Sequence, residues 1–199
     1  MKGVYISLDG IDGAGSTTQT KLLVDWLASK GLKVFATKEP TVGRIGTLIR
    51  AYLRDERVHP AVDALLFAAD RVEHSMNLRT LIDEGFMVVS DRSLISSLAY
   101  QQAQGLDLKW LLEINRFSLK PDIPIILDVN PTVSLARKHS LKEKFENKNF
   151  LETVRKYFLD MASKNGWAVV DSSRPLEVVA SDIRNYVTIE LKKRGVNIQ

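Results

Sequence analysis

The feature that most constrains this chain lies near its start. The apolar run Val4 to Asp9 breaks into Gly10-Ile11-Asp12-Gly13-Ala14-Gly15-Ser16-Thr17-Thr18-Gln19, and a helical period then continues through Lys30. A strand, a glycine-rich turn and a helix N-terminus in succession make an anion site, because backbone N–H groups point inward and the helix dipole adds positive potential. Gly10, Gly13 and Gly15 permit close backbone approach, and Thr17 places a hydroxyl where a loop of the form G-x-x-x-x-G-K-[ST] binds magnesium. The spacing predicts a phosphate-binding loop over Gly10 to Thr18. Ser16 departs from that form, standing where lysine normally reaches the β- and γ-phosphates. A charge-assisted hydrogen bond is worth roughly 1.5–3 kcal/mol, so either another cation neutralises the phosphates or the loop binds without catalysing.

Beyond the loop, short apolar runs alternate with longer stretches of helical period, the pattern of a parallel sheet with crossover helices and hence of an α/β fold. Five buried parallel strands are expected at Val4 to Asp9, Lys33 to Thr37, Phe86 to Asp91, Ile123 to Val129 and Trp167 to Asp171. Helices are expected at Ser16 to Lys30, Val42 to Asp55, Pro60 to Glu84, Leu94 to Gln104, Leu108 to Leu119, Pro131 to Ser140, Asn147 to Asn165 and Pro175 to Arg194. Gly31, Gly85, Gly105, Gly166 and Gly195 sit where helices should stop. The 199 residues fit a single domain, 1–199. Lys138 to Lys148 breaks the pattern, being dense in lysine and poor in apolar residues. It reads as a surface segment, either a solvated helix end or a lid that closes over phosphates.

Composition narrows the chemistry. With 45% apolar and 26% charged residues and no long apolar run, a membrane span is not expected. The absence of cysteine removes disulfides, thiolate metal sites and cysteine nucleophiles. The opening Val4-Tyr5-Ile6-Ser7-Leu8 is too short for a secretory signal, which makes a cytoplasmic location the expectation. His59, His74 and His139 lie far apart and read as surface residues rather than metal ligands. A net charge of +4 favours anionic partners, but the tail Leu191 to Arg194 reads as solvated helix-end charge, not a nucleic-acid site. Asp91 and Arg92 follow an apolar strand at the end where open α/β sheets bind ligands, and Asp128 also ends a strand, so the two aspartates compete for the magnesium role.

Several segments together resemble thymidylate kinase, a family of P-loop nucleoside monophosphate kinases. They are LDGIDGAGSTTQ (Leu8 to Gln19), TKEP (Thr37 to Pro40), LLFAADR (Leu65 to Arg71), SDRSLISSLAYQ (Ser90 to Gln101), KPDIPIILDV (Lys120 to Val129) and VVDSSRPLEVV (Val169 to Val179). The resemblance implies a five-stranded P-loop kinase fold in three α/β/α layers, ATP and Mg²⁺ as cofactors, phosphoryl transfer to dTMP, and a homodimer. Residue by residue, it implies that Asp12 contacts the deoxyribose 3′-hydroxyl, Phe67 stacks on thymine and Arg71 hydrogen-bonds a pyrimidine carbonyl. The resemblance further implies that Arg92 bridges donor and acceptor phosphates, that Asp91 lies near magnesium with Thr17, and that Ser97 and Tyr100 contact base and sugar. On the same resemblance Glu39 is expected in the dTMP site, with Arg44 and Arg50 near the dTMP phosphate, and Asp128 is expected to be structural. Ser93 stands where many relatives carry an aromatic or histidine. Arg92, helped by Arg137, Lys142 or Lys144 from the lid, is expected to supply the charge absent at Ser16; Lys21 reads as a helix-surface residue. Two alternatives stay open: a kinase of other or broader nucleoside monophosphates, and a non-catalytic nucleotide-binding protein.

Overall fold

A computed structural model of the chain describes residues 2–53, 55, 57–137, 147–196 and 198. Five parallel strands, β1 (Val4–Gly10), β2 (Val34–Lys38), β3 (Met87–Asp91), β4 (Ile123–Asp128) and β5 (Ala168–Asp171), form one sheet in the order β2-β3-β1-β4-β5. The crossovers carry α1 (Ser16–Ser29), α2 (Arg44–Tyr52), α3 (Pro60–Asp83), α4 (Leu94–Ala103), α5 (Leu108–Ile114), α6 (Pro131–Ala136), α7 (Lys148–Asn165) and α8 (Leu176–Lys193). Helices α1 and α8 cover one face of the sheet and α3, α4 and α7 the other, giving three layers around a core that includes Ile6, Leu8, Leu23, Val89, Ile125 and Phe158.

The central strands are apolar because both faces are covered. All residues of β1 and β3 are buried, but β2 and β5 are only partly so, and Phe35 and Val169 are 38% and 46% exposed. The expectation of five buried strands is therefore corrected at the two edges, where each strand has a neighbour on one side only. Helix α5 also ends at Ile114 rather than Leu119. The Asn115 side chain donates to the Leu111 carbonyl at 2.8 Å, taking the acceptor that a continuing helix would offer its own backbone.

Strand order positions the site. Adjacent strands β1 and β3 lead into helices on opposite faces of the sheet, α1 and α4, which opens a crevice between their carboxyl ends. Into that crevice run the glycine loop after Gly10 and the turn Asp91-Arg92-Ser93, with Leu8 and Asp91 in register.

Candidate active site

Gly13 and Gly15 adopt left-handed backbone, φ 79° and 90°, and Gly15 leads directly into α1. Gly13 must also lack a side chain, since a Cβ there would lie 2.5 Å from the Ser134 carbonyl oxygen of α6. Ile11 and Ala14 join the core, while the Ala14 N–H closes the turn on the Ile11 carbonyl at 3.0 Å. Over the loop lies a cavity of about 470 Å³ walled by Asp12, Gly13, Gly15, Ser16, Thr17 and Thr18, together with Arg92 and Arg137. Those two arginines are its cations among the described residues. Ser16 opens α1, mostly buried, and brings no charge. Arg137 is steadied by donation to the Ser172 carbonyl at 3.1 Å. Lys142 and Lys144 lie outside the described residues, as does the segment expected as a lid, 138–148, except for Asn147 and Lys148, which open α7. Lys21 is exposed on α1 and lines a different cavity.

A second cavity, about 240 Å³, brings together Asp12, Glu39, Phe67, Arg71, Arg92, Ser97 and Tyr100. Arg92 and Asp12 stand in both walls. Arg92 is the one non-glycine residue with positive φ, 76°, among the described residues. That conformation costs roughly 1–2 kcal/mol and recurs at functional sites. It is held by the Arg92 N–H to the Leu8 carbonyl at 3.0 Å and by the Ser90 hydroxyl donating to the Arg92 carbonyl at 2.6 Å. The guanidinium donates to the Gly10 carbonyl at 2.8 Å, pairs with Asp12 and lies 5.4 Å from the centre of the Tyr100 ring. Burial works against its charge, but Tyr100, Asp12, Asp91 and Asp9 around it more than offset this and hold it firmly protonated. Tyr100 packs on Phe150 and Phe158, and its hydroxyl accepts the Asp12 N–H at 2.9 Å. Burial, then Asp12, push the phenol above its ordinary range.

At the other end of this cavity Arg71 is almost fully buried, at 2% exposure. It donates to Glu39 at 2.7 Å, to Asn115 Oδ1 and to Ser97 Oγ at 2.7 Å. Burial alone would raise the Glu39 pKa, yet Arg71 and His74 outweigh it and hold the carboxyl below its usual range. His74, expected at the surface, is 7% exposed, because its place on α3 turns it toward Glu39 and Thr37 rather than toward water. Arg50 lines the cavity and donates to the carbonyls of Pro40 and Thr41, whereas Arg44 is exposed and outside its wall.

Thr17 donates its hydroxyl to Asp91 Oδ2 at 2.5 Å, and Asp91 Oδ1 is buried without a hydrogen-bond partner among the described residues. Asp128 is instead forked to Arg155 of α7 at 2.6 and 2.8 Å. Sequence reasoning passed over Asp9, which is fully buried and accepts from the N–H and hydroxyl of both Ser93 and Ser96. Ser93 also caps α4 by accepting the Ile95 N–H at 3.2 Å, so the small residue here ties helix to sheet. Gln101 was missed as well, although its position four residues after Ser97 and beside Tyr100 puts it on the same helix face.

A family model described as thymidylate kinase matches residues 8–183. A probable thymidylate kinase of Pyrobaculum aerophilum is 41% identical, covering 98% of this chain and 99% of its own. One from Pyrococcus horikoshii is 40% identical, covering 96% and 98%. The solved structure of thymidylate kinase from Candida albicans superposes with a TM-score of 0.85 at 25% identity, covering 94% of this chain and 92% of its own. The sheet and its glycine loop thus have the P-loop kinase fold. Because the matched span runs from within β1 into α8 and takes in both cavities, the chain belongs to the thymidylate kinase family.

Proposed function

We propose that this chain transfers the γ-phosphoryl group of ATP to dTMP, giving dTDP and ADP, with ATP over the glycine loop and dTMP in the smaller cavity. The observation that carries this reading is the shared wall: two cavities sized for different ligands meet at Arg92 and Asp12. Phosphoryl transfer needs two phosphates held in line and charge neutralised on the equatorial oxygens, with little covalent help. A dTMP phosphate oxygen is the nucleophile, already ionised near neutral pH, so no strong general base is required. Arg92 offers a planar fork to oxygens of both phosphates, replacing its contact with Asp12. Asp12 then accepts from the sugar 3′-hydroxyl. Phe67 stacks on the base, Arg71 and Ser97 read its edge, and Tyr100 crowds the 2′ carbon. Arg137 supplies donor-side charge in place of the lysine absent at Ser16.

The oxygen donors suit Mg²⁺, since a hydroxyl and a carboxylate with one buried, unpartnered oxygen are hard ligands. Thr17 and Asp91 would hold it, and when bound it would neutralise charge on the β- and γ-phosphates. The test is ADP formation from ATP and Mg²⁺ with dTMP, with dUMP, dCMP, UMP and no acceptor alongside. Turnover with dTMP well above the others is expected; nucleotide binding without turnover on any acceptor would overturn the reading and make the loss of lysine decisive.

The same reading takes the chain as one kinase domain with a lid near 138–148, working in the cytoplasm. It also takes the enzyme as a homodimer. Val62, Leu65, Ala69, Val72 and Met76 form a stripe at alternating spacings of three and four along α3, and Val62, Leu65 and Met76 are 39%, 51% and 68% exposed. A second copy of this helix is the occupant that such a self-complementary apolar stripe suits. No helix of the described residues is long and apolar enough to cross a membrane.

A further inference from the structure

We propose that His74 is a positioning residue for base recognition, setting the orientation of Arg71 through Glu39; this rests on the assignment of the smaller cavity to dTMP. Arg71 has five N–H bonds, and three nitrogens already donate to Glu39, Asn115 and Ser97. Only the remaining hydrogens on its two terminal nitrogens can reach a ligand, so what Arg71 presents depends on the rotation of its fork. Glu39 is its charged partner, and Glu39 has two oxygens with two different duties. Oε2 accepts from Arg71 at 2.7 Å, and Oε1 meets His74 Nδ1 at 3.3 Å.

A carboxylate held ionised can only accept, so Nδ1 carries the proton. The other ring nitrogen lies 2.8 Å from the Thr37 hydroxyl of β2. His74 follows Arg71 by three residues on α3 and shares its face, while Thr37 precedes Glu39 by two on the chain that leaves β2. The imidazole therefore grips both ends of the Thr37–Glu39 segment and sets it against the helix that bears Arg71. His74 lies outside the wall of the dTMP cavity, so its influence on the base passes through Glu39.

The test is steady-state kinetics of His74→Phe, which keeps a ring without hydrogen bonds, and His74→Asn, which returns an N–H to the Nδ1 position. For His74→Phe, which loses the imidazole's hydrogen bonds to both Glu39 and Thr37, the KM for dTMP should rise at least about fivefold, with kcat and the KM for ATP unchanged. His74→Asn should recover to within about threefold of wild type. Equal dTMP KM in wild type and His74→Phe would overturn the proposal, as would a failure of His74→Asn to recover, which would mean packing alone. Should neither variant fold, Thr37→Val carries the test, with a rise in dTMP KM expected and an unchanged value overturning it. A wild-type enzyme inactive toward dTMP would instead overturn the assigned function, and this inference with it.

Discussion

Arg92 is the residue on which the proposed chemistry turns. It stands between two cavities, holds a left-handed backbone and is wired to Gly10, Asp12 and Tyr100. An arginine at a transferring phosphoryl group is worth about 10³- to 10⁵-fold in rate, so Arg92→Ala should lower kcat at least about 10³-fold at saturating substrates. A variant within threefold of wild type would remove Arg92 from the mechanism. Asp91 offers a different readout. With its unpartnered Oδ1 and its contact with Thr17, Asp91 is the carboxylate proposed to hold Mg²⁺, so Asp91→Asn should raise the Mg²⁺ concentration for half-maximal activity about tenfold. An unchanged Mg²⁺ titration would move the cation to other ligands. Much of this was legible in the sequence. Glycine spacing and an Asp-Arg pair after an apolar run are local signals, whereas the burial of His74 rests on Glu39, 35 positions away, and no local signal announces it.

Between elements, the loop and α6 pack without room for a methyl group at Gly13. Gly13→Ala would meet the Ser134 carbonyl and force left-handed backbone at once, so α6 or the loop must shift. Gly15→Ala meets nothing within 4 Å and carries only the conformational cost, about 1–2 kcal/mol. The KM for ATP should therefore rise at least about tenfold in Gly13→Ala and clearly less in Gly15→Ala; equal effects would mean that backbone strain alone governs the loop. The contact of α3 with the end of β2 has a pH signature. The folded pKa of Glu39 lies below its ordinary 4.5, so its contribution to stability is complete above about pH 4.5 and is lost as pH falls through the folded value. Asp9 works in the opposite direction, since burial raises its pKa despite its hydrogen bonds and its ionisation costs stability as pH rises. Breaking a buried pair by removing one partner costs about 3–5 kcal/mol, so Glu39→Gln should be clearly less stable at pH 7 in urea unfolding. The gap from wild type should narrow as pH drops toward 3. A gap constant across that range would mean that Glu39 is not the titrating partner. Element types and order were readable because glycine stops and apolar runs are short-range features. The exposure of β2 and β5 was not, because edge and centre strands carry similar apolar residues and only strand order separates them.

For the molecule as a whole, α3 poses the remaining question. Its inward residues Ala64, Ala68, Arg71, Ser75 and Leu78 are buried, yet the stripe from Val62 to Met76 leaves apolar side chains facing out. Such a helix is apolar on two sides, and an amphipathic surface helix would not be. A twofold contact along this stripe resolves the excess, because the same patch on two copies covers itself. Such a contact would lie directly behind Phe67, Arg71 and His74 on α3, and the partner copy would brace from outside the backbone that carries the side chains proposed to read the base. Sedimentation should give twice the chain mass for the wild type. Met76→Glu puts a charge on the most exposed large side chain of the stripe, at 68%, and should yield monomers that keep their helical circular dichroism. With the brace removed, the KM for dTMP should rise by about threefold or more while the KM for ATP, set by the loop and α1, stays as it was. A wild-type monomer, or a Met76→Glu dimer of unchanged stability, would mean that the outward stripe of α3 is covered by something else.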